Sequence, residues 1–169
     1  GLHSREFFQC ALLLRDTKVA ERVCAALADQ LRGADFDTVI SPALGGVLVG
    51  QEVARQLGKP HIFAEKDDLG ALVLRRGFTI KPGERFAVIE DVVTRGGRLM
   101  ETVDIVRQHG GKVTAAACLV NRSGGNLPAM DFPFHGLVEL NPETFPPDNL
   151  PPDLAKIPAS KPGSKTKEP

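Results

Sequence analysis

Residues 85–100 constrain the fold of this chain more than any other stretch. They begin with a continuous apolar run, residues 86–89, which predicts a buried strand. Two adjacent carboxylates, Glu90 and Asp91, follow that run, and a polar turn containing two glycines comes after them at residues 94–98. The turn leads directly into a helix-like segment. A strand, an acidic end, a glycine turn and a helix in this order indicate an α/β unit.

The rest of the chain alternates in the same way. Apolar residues recur at three- and four-residue spacing after Thr17, which we interpret as the N-cap of a helix ending near residue 32. Residues 1–16 resemble a strand-rich opening, and a second helix follows the turn at residues 42–46 and ends at residue 57. Further strands are predicted at residues 36–40, 61–64, 113–120 and 136–140. This alternation predicts an α/β fold with a doubly wound, mostly parallel sheet flanked by helices.

Two segments differ from this pattern. Residues 65–83 place charged side chains around two short apolar runs, residues 72–74 and 78–80, which favours a β-hairpin flap. From residue 141 onward the chain carries more than half of its 13 prolines. We therefore predict one domain over residues 1–140 and a proline-rich C-terminal tail over residues 141–169, largely disordered beyond about residue 154.

Composition argues against several classes of protein. The formal net charge is 0, so a nucleic-acid partner has no global electrostatic support, and no apolar run approaches the ~20 residues that span a membrane. The 3 cysteines, Cys10, Cys24 and Cys118, form no C-x-x-C pair and lie in apolar or helical contexts. Reduced core thiols and a cytoplasmic location are the expectation.

Three loops follow predicted strands: residues 42–46, 90–98 and 121–125. In doubly wound sheets ligands bind outside the carboxyl ends of the strands, so these loops are expected to meet at one crevice. The acid pair can accept hydrogen bonds from vicinal hydroxyls, while backbone N–H groups at a helix N-terminus can hold a phosphate. The sequence therefore predicts a sugar-phosphate site. The alternative is a strand that happens to end in acids, which is disfavoured because burying two carboxylates is costly.

A resemblance to a known family makes this prediction specific. The order of three apolar residues followed by Glu-Asp-Val-Val-Thr-x-Gly-Gly resembles the phosphoribosyl diphosphate (PRPP) signature of type I phosphoribosyltransferases. Four further segments are similar to bacterial orotate phosphoribosyltransferases with a short flap, over residues 1–140: His3-Ser4-x-x-Phe7-Phe8, Pro42-Ala-x-Gly-Gly46, Phe63-Ala-Glu-Lys66 and Asn121-Arg122-Ser-Gly-Gly125.

The resemblance implies a reaction and its partners. Members of this family join orotate to PRPP, giving orotidine 5'-monophosphate and diphosphate in pyrimidine biosynthesis. It implies Mg²⁺ as cofactor, held mainly through PRPP and not directly by protein ligands. It also implies a homodimer whose active sites borrow a flap residue from the neighbouring subunit, with no nucleic-acid or membrane partner.

The resemblance also implies roles for individual residues. Glu90, Asp91 and Lys66 are the catalytic candidates; the two acids would hold the ribose hydroxyls and Lys66 the diphosphate. A lysine simply solvated at the surface is the alternative for Lys66. The PRPP-binding candidates are Lys66, Glu90, Asp91, Val92, Val93, Thr94, Arg95, Gly96, Gly97 and Arg98.

Orotate recognition is assigned to a second group. Thr94 matches the family position whose hydroxyl touches orotate, and Arg122 matches the arginine that pairs with its carboxylate. Phe7 and Phe8 match the segment that lies against the base, although a phenylalanine pair beside a strand is as often simply part of the core. Arg75 and Arg76 could serve the same diphosphate as Lys66 or merely solubilise the hairpin, and the second interpretation is favoured.

Several departures from the family pattern keep other functions open. Arg95 and Arg98 replace small or hydroxyl residues of the phosphate turn, and residues 65–70 lack the Lys-x-His-Gly core of longer flaps. The family's N-terminal hood is expected to be incomplete here. The alternatives are a PRPP- or nucleotide-binding regulatory protein without turnover and a phosphoribosyltransferase for another nucleobase. Arg122 and the Phe7-Phe8 segment argue against the second.

Overall fold

The computed structural model describes residues 2–160, which fall into two units that we treat separately. The larger unit is Cys10–Leu140. The smaller unit combines residues 2–9 with residues 141–160. The prediction of one domain over residues 1–140 and a tail over residues 141–169 stays a prediction.

The larger unit contains four helices and six strands among its described residues. In chain order they are α1 (Cys10–Leu14), α2 (Thr17–Leu31), β2 (Thr38–Pro42), α3 (Gly45–Leu57), β3 (His61–Lys66), β4 (Leu72–Leu74), β5 (Arg85–Val93), α4 (Gly97–Gln108), β6 (Lys112–Asn121) and β7 (Phe134–Glu139), with β1 (His3–Ser4) and β8 (Thr144–Phe145) in the smaller unit.

One six-stranded sheet organises the larger unit. Its order is β4-β3-β2-β5-β6-β7, and every neighbouring pair is parallel except β3 with β4. In β5, at the centre, Val88 pairs with Ile40 of β2 and with Ala116 of β6. The prediction of a mostly parallel, doubly wound sheet is confirmed. An antiparallel hairpin is also present, but it pairs β3 with β4 and does not involve the predicted run at residues 78–80.

Two apolar layers cover the faces of this sheet. Side chains alternate between the faces along a strand, so Ala87 and Ile89 of β5 pack with α2 and α3 while Phe86 and Val88 pack with α4. The two layers are nearly free of solvent exposure, and burial of this kind contributes roughly 25 cal/mol per Å² of apolar surface. The sheet is therefore a rigid platform for the loops at its carboxyl edge.

Three local predictions are wrong. Residues 12–14 belong to helix α1 and not to a strand, and residues 78–80 form no strand. The N-cap of α2 is Asp16 and not Thr17, because the Asp16 carboxylate accepts hydrogen bonds from the backbone N–H groups of Lys18 at 3.0 Å and Val19 at 3.2 Å. A short acidic side chain outside the first turn satisfies N–H groups that have no helical partner.

All three cysteines are free and buried, as the sequence predicts for core thiols. Burial raises the pKa of Cys10 to about 11 and the pKa of Cys24 and Cys118 to about 12. These thiols are therefore protonated near neutral pH, which makes them poor nucleophiles. Within residues 2–160, every helix falls short of the length and apolar character needed to cross a membrane.

The smaller unit contains local structure among its described residues. Strands β1 and β8 pair antiparallel, and the Arg5 guanidinium bonds Glu143 at 3.1 Å and Asp153 at 2.9 Å while lying 5.0 Å from the centre of the Phe145 ring. Leu154–Lys156 forms a single 3₁₀ turn. Gly1 and residues 161–169, where the prediction of disorder is centred, lie outside the described residues.

Candidate functional site

A cavity of about 250 Å³ lies at the carboxyl edge of the sheet, where β2, β3 and β5 end and α3 and α4 begin. This is where a doubly wound fold places its ligands. The wall consists of Pro42, Ala43, Gly45, Lys66, Glu90, Asp91, Val92, Val93, Thr94, Gly96, Gly97, Arg98 and Leu99. Two of the three predicted loops therefore contribute directly to one cavity.

The acid pair lies inside strand β5 and not just beyond it. Glu90 is 7% exposed, and its Oε1 accepts a hydrogen bond from the Asp91 backbone N–H at 3.1 Å. Asp91 is half-buried, and its Oδ1 accepts from the Val92 backbone N–H at 2.9 Å. Pairing of Glu90 with Cys118 and of Val92 with Val120 in β6 extends the strand past the acids. Strand pairing therefore holds the backbone that carries both carboxylates.

Burial disfavours the ionised form of Glu90. The pKa of Glu90 lies well above its ordinary value, first because burial disfavours the ionised form. The hydrogen bond to the Asp91 carboxyl and the charge on Asp91 raise this pKa further, and Arg98 opposes these effects. Glu90 therefore keeps its proton at pH values where an isolated carboxyl has lost its own.

Glycines form the turn between β5 and α4. Gly96 has φ +76°, a left-handed conformation that glycine adopts without steric cost, and it precedes α4 as its N-cap without a side-chain hydrogen bond. The first N–H groups of a helix lack intrahelical partners and, with the helix dipole, attract anions. Since Thr94, Gly96 and Gly97 line the cavity, this turn supplies an anion-binding end to it.

Two cationic side chains lie at the mouth of the cavity. Lys66 is the exposed last residue of β3, and Arg98 lies in the first turn of α4. The Arg98 guanidinium forms an ion pair with Glu101 and donates a hydrogen bond at 3.4 Å to the carbonyl of Gly70. Arg98 thus connects α4 to the turn of the flap, and with Lys66 it places positive charge beside the acid pair.

Within the flap turn itself, the Asp67 side chain accepts two backbone hydrogen bonds. Asp67 Oδ1 accepts hydrogen bonds from the backbone N–H groups of Leu69 and Ala71, both at 2.9 Å, and the Asp67 N–H donates to the Ala71 carbonyl at 2.8 Å. Within the hairpin, Arg76 pairs with Glu65 at 2.8 Å and lies over the Phe63 ring, which gives it a structural role. Arg75 is exposed.

Some predicted site residues lie outside the cavity wall. Arg95 is exposed and does not contribute to the wall. Arg122 lies beside the cavity, since its backbone N–H donates to the carbonyl of Val93 at 2.7 Å. Phe7, which is 53% exposed, and the half-buried Phe8 belong to the smaller unit, so their predicted contact with a base stays a prediction.

Sequence reasoning named the turn at residues 42–46 but assigned no site residue within it. Pro42, Ala43 and Gly45 nevertheless line the cavity. The available signal was the position of a small-residue turn after a predicted strand, since only small residues let a backbone approach a ligand or another chain segment closely.

The described residues contain no cluster of three or more His, Cys, Asp or Glu side chains suited to a metal ion. The cavity does offer two carboxyl groups, Glu90 and Asp91, which are hard oxygen ligands of the kind that Mg²⁺ prefers. With only two such groups, the cavity fits a Mg²⁺ ion whose other ligands come from a bound anion and water.

Comparison with known proteins identifies the relatives of this chain. A family profile described as "Phosphoribosyl transferase domain" matches residues 14–133. The orotate phosphoribosyltransferase of Carboxydothermus hydrogenoformans is 46% identical over 169 residues, which cover 98% of this chain and 86% of that protein. The orotate phosphoribosyltransferase of Sphingopyxis alaskensis is 47% identical with the same coverage of both chains.

Solved structures share the fold at lower identity. Adenine phosphoribosyltransferase from Thermoanaerobacter pseudethanolicus has a TM-score of 0.67 at 20% identity and covers 79% of this chain and 88% of its own. Orotate phosphoribosyltransferase from Mycobacterium tuberculosis, in complex with inorganic phosphate, has a TM-score of 0.64 at 17% identity, covering 82% and 86%. At such identities the likeness concerns the fold alone.

Proposed function

The chain belongs to the phosphoribosyl transferase family, and from this premise we propose that it transfers the phosphoribosyl group of PRPP to orotate. The products are orotidine 5'-monophosphate and diphosphate, and the reaction belongs to pyrimidine biosynthesis. The identity of over 40% to curated orotate phosphoribosyltransferases across nearly the whole chain supports orotate over another base.

The proposal rests on one observation from the structure. A single cavity combines the buried acid pair, the glycine turn at the start of α4, and two cations at its mouth. PRPP needs these three environments, because it presents ribose hydroxyls, a 5'-phosphate and a diphosphate. Each environment suits one of these groups by ordinary hydrogen bonding or charge.

The acid pair would act on the ribose. Displacing diphosphate from the anomeric carbon passes through a transition state with positive charge on the sugar. Asp91 and Glu90 would accept hydrogen bonds from the 2'- and 3'-hydroxyls, and the negative charge of the Asp91 carboxylate would stabilise that transition state. Since the backbone of β5 holds both acids in place, little reorganisation is needed when the charge develops.

The phosphates would bind at the two other parts of the wall. The backbone N–H groups of residues 94–98 would hold the 5'-phosphate, with Val92 and Val93 leading into the turn. Lys66 would contact the diphosphate, and Arg98 would contact phosphate oxygens if it exchanged its present partners for them. Arg95 would reach a phosphate only from outside the wall.

Orotate would lie near the end of β6. Thr94 would touch the base through its hydroxyl, and Arg122 would pair with the orotate carboxylate in a bidentate contact. Phe7 and Phe8 would lie against the base. The hydrogen bond from the Arg122 backbone to Val93 supports this placement, because it brings the start of the 122–125 loop to the cavity wall.

Mg²⁺ would be held mainly by oxygen atoms of PRPP and water, with the acid pair as the available protein ligands. When bound, it neutralises charge on the diphosphate leaving group.

We also propose a homodimer in which the flap completes the neighbouring subunit's site; the fully exposed Leu69 in the flap turn suits a contact of this kind. The cytoplasmic location stays a prediction.

Orotate consumption with PRPP and Mg²⁺, followed spectroscopically, tests the proposal. We expect turnover that falls by at least about 100-fold in Arg122→Ala, since loss of a bidentate guanidinium leaves a carboxylate unpaired. Arg22→Ala, an exposed arginine on α2, is the matched control and should keep full activity. Calorimetric binding of both ligands without turnover would contradict the enzyme and favour a regulatory protein.

A further inference from the structure

We propose that Gly45 is a positioning residue: the absence of its side chain sets the orientation of the Asp91 carboxylate in the cavity. The inference rests on the proposed function in one respect, the role of Asp91 at the ribose. It concerns the start of α3, a helix that contributes no charged group to the cavity wall.

The geometry is a close approach between two segments that are distant in the sequence. A β-carbon on Gly45 would lie 2.7 Å from both Cγ and Oδ1 of Asp91, and nearer still to Oδ2. Real β-carbons do not approach other atoms so closely. The Asp91 carboxylate therefore occupies the space that any side chain at residue 45 would need.

The backbone would tolerate the change. Gly45 is the first residue of α3 and does not have a positive φ, and alanine has a higher helix propensity than glycine. The atoms in the way belong to the end of a rotatable side chain, whereas the backbone of Asp91 is held in β5. An added methyl group is thus accommodated by moving the carboxylate.

The adjacent glycine, Gly46, does not have this exclusive contact with one carboxylate. A β-carbon on Gly46 would meet Glu90 Oε1 at 3.1 Å, but also the backbone carbonyl of Ile89 at 3.1 Å and Pro42 at 3.2 Å. A substitution there would disturb the backbone as well as the acid. Only at Gly45 are all three close atoms those of the Asp91 carboxylate.

The consequence is functional and not structural. The carboxylate must rotate away from α3, which moves the negative charge from the place where the ribose hydroxyls would meet it. A displacement of about 1 Å in a catalytic geometry costs up to about 100-fold in rate. Gly45→Ala should therefore fold normally and bind PRPP poorly.

A double-mutant cycle tests this inference. The four proteins are the wild type, Gly45→Ala, Asp91→Ala and the double variant, each assayed for Mg²⁺-PRPP affinity by calorimetry, for kcat/KM and for Tm. We expect Gly45→Ala to weaken PRPP binding by at least about 10-fold with Tm unchanged. In the Asp91→Ala background the same substitution should have little further effect, because residues that act through one another are not additive.

The control is Gly33→Ala, where a β-carbon would have no atom within 4 Å and φ is not positive. It should match the wild type in all three measurements. Equal losses from Gly45→Ala in both backgrounds, wild-type affinity in the single variant, or a large fall in its Tm would each overturn the inference.

A crystal structure of Gly45→Ala separates this inference from the proposed function. Rotation of the Asp91 carboxylate away from residue 45 supports the positioning role even if the wild type fails to consume orotate. An unmoved carboxylate overturns the positioning role even if the wild type is an active transferase.

Discussion

The floor and the rim of the cavity are built in opposite ways. The floor, defined here as Glu90, Asp91 and Gly45, is largely buried in the central strand and against the start of α3. The rim, defined as Lys66, Arg98 and the turn at residues 67–71, is more exposed and held by a few hydrogen bonds and one ion pair. The floor has one arrangement enforced by packing, whereas the rim can change partners at little cost.

This difference separates two kinds of charge. Charges on the floor act through a poorly solvated environment, so each interaction is strong and depends on sub-ångström geometry. Charges on the rim act through water, so each is weaker, screened by salt and tolerant of movement. If the comparison is correct, substitutions in the floor should change the chemical step as well as binding, and substitutions in the rim should change binding alone.

Asp91→Asn should have the largest effect. The substitution keeps the shape of the side chain and removes its negative charge, so kcat/KM should fall by about 100- to 1,000-fold, as for loss of a preorganised charge-stabilising group. Steady-state kinetics with PRPP and orotate measures the effect. Unchanged PRPP affinity together with unchanged rate would show that the floor is not the ribose site.

Lys66→Met should have a smaller effect of a different kind. Removing one exposed cation should raise KM for PRPP by about 10-fold with little change in kcat, and the difference from the wild type should shrink in high salt. Lys18→Met, at an exposed position on α2, is the control. A loss confined to kcat would remove the distinction between floor and rim.

Apart from its effect on the chemical step, Glu90→Gln should show the smallest of these effects, a change in stability. Because the pKa of Glu90 is raised in the folded protein, the folded state binds more protons than the unfolded state above pH 4.5, the ordinary value for this carboxyl. The stabilisation is present below pH 4.5 and is lost as pH rises towards the folded pKa. The Gln variant should therefore unfold at higher urea concentration than the wild type at pH 8, and the gap should close on acidification.

Urea titrations at a series of pH values between 4.5 and 8 would measure this gap. Glu6→Gln, which changes an exposed carboxyl, should leave the pH dependence as in the wild type. A gap of the opposite sign would mean that Glu90 is ionised and stabilised in the folded protein.

Elements with strong periodicity were predictable. The apolar spacing that predicted a helix to residue 32 corresponds to α2, and the continuous apolar runs before residues 90 and 121 correspond to β5 and β6. The errors fall where local patterns are short. Residues 12–14 are three leucines that suit a strand or a helix equally, and packing of α1 into the core decides between them.

The residues of the candidate site also fall into two groups, those recognisable from the sequence and those that required the structure. Glu90, Asp91 and the turn at residues 94–98 are adjacent in sequence, and a motif of adjacent residues can be recognised without a structure. Lys66 and Arg122 were recognised through the resemblance, whereas the lining of the cavity by Pro42, Ala43 and Gly45 required knowledge of which strand ends meet. Arg95 shows the limit of the motif, because it lies within the recognised turn but outside the cavity wall.

By itself, the sequence determined the family, the parallel sheet and the stretch that carries the acid pair, because all three depend on residues close together in the chain. Only the tertiary structure decided that Gly45 of α3 lies against Asp91 of β5 and that Arg98 reaches the flap at Gly70. It also decided the raised pKa of Glu90, since that pKa depends on burial by distant segments. Contacts between remote residues follow from the packing of helices on the sheet, which no local pattern records.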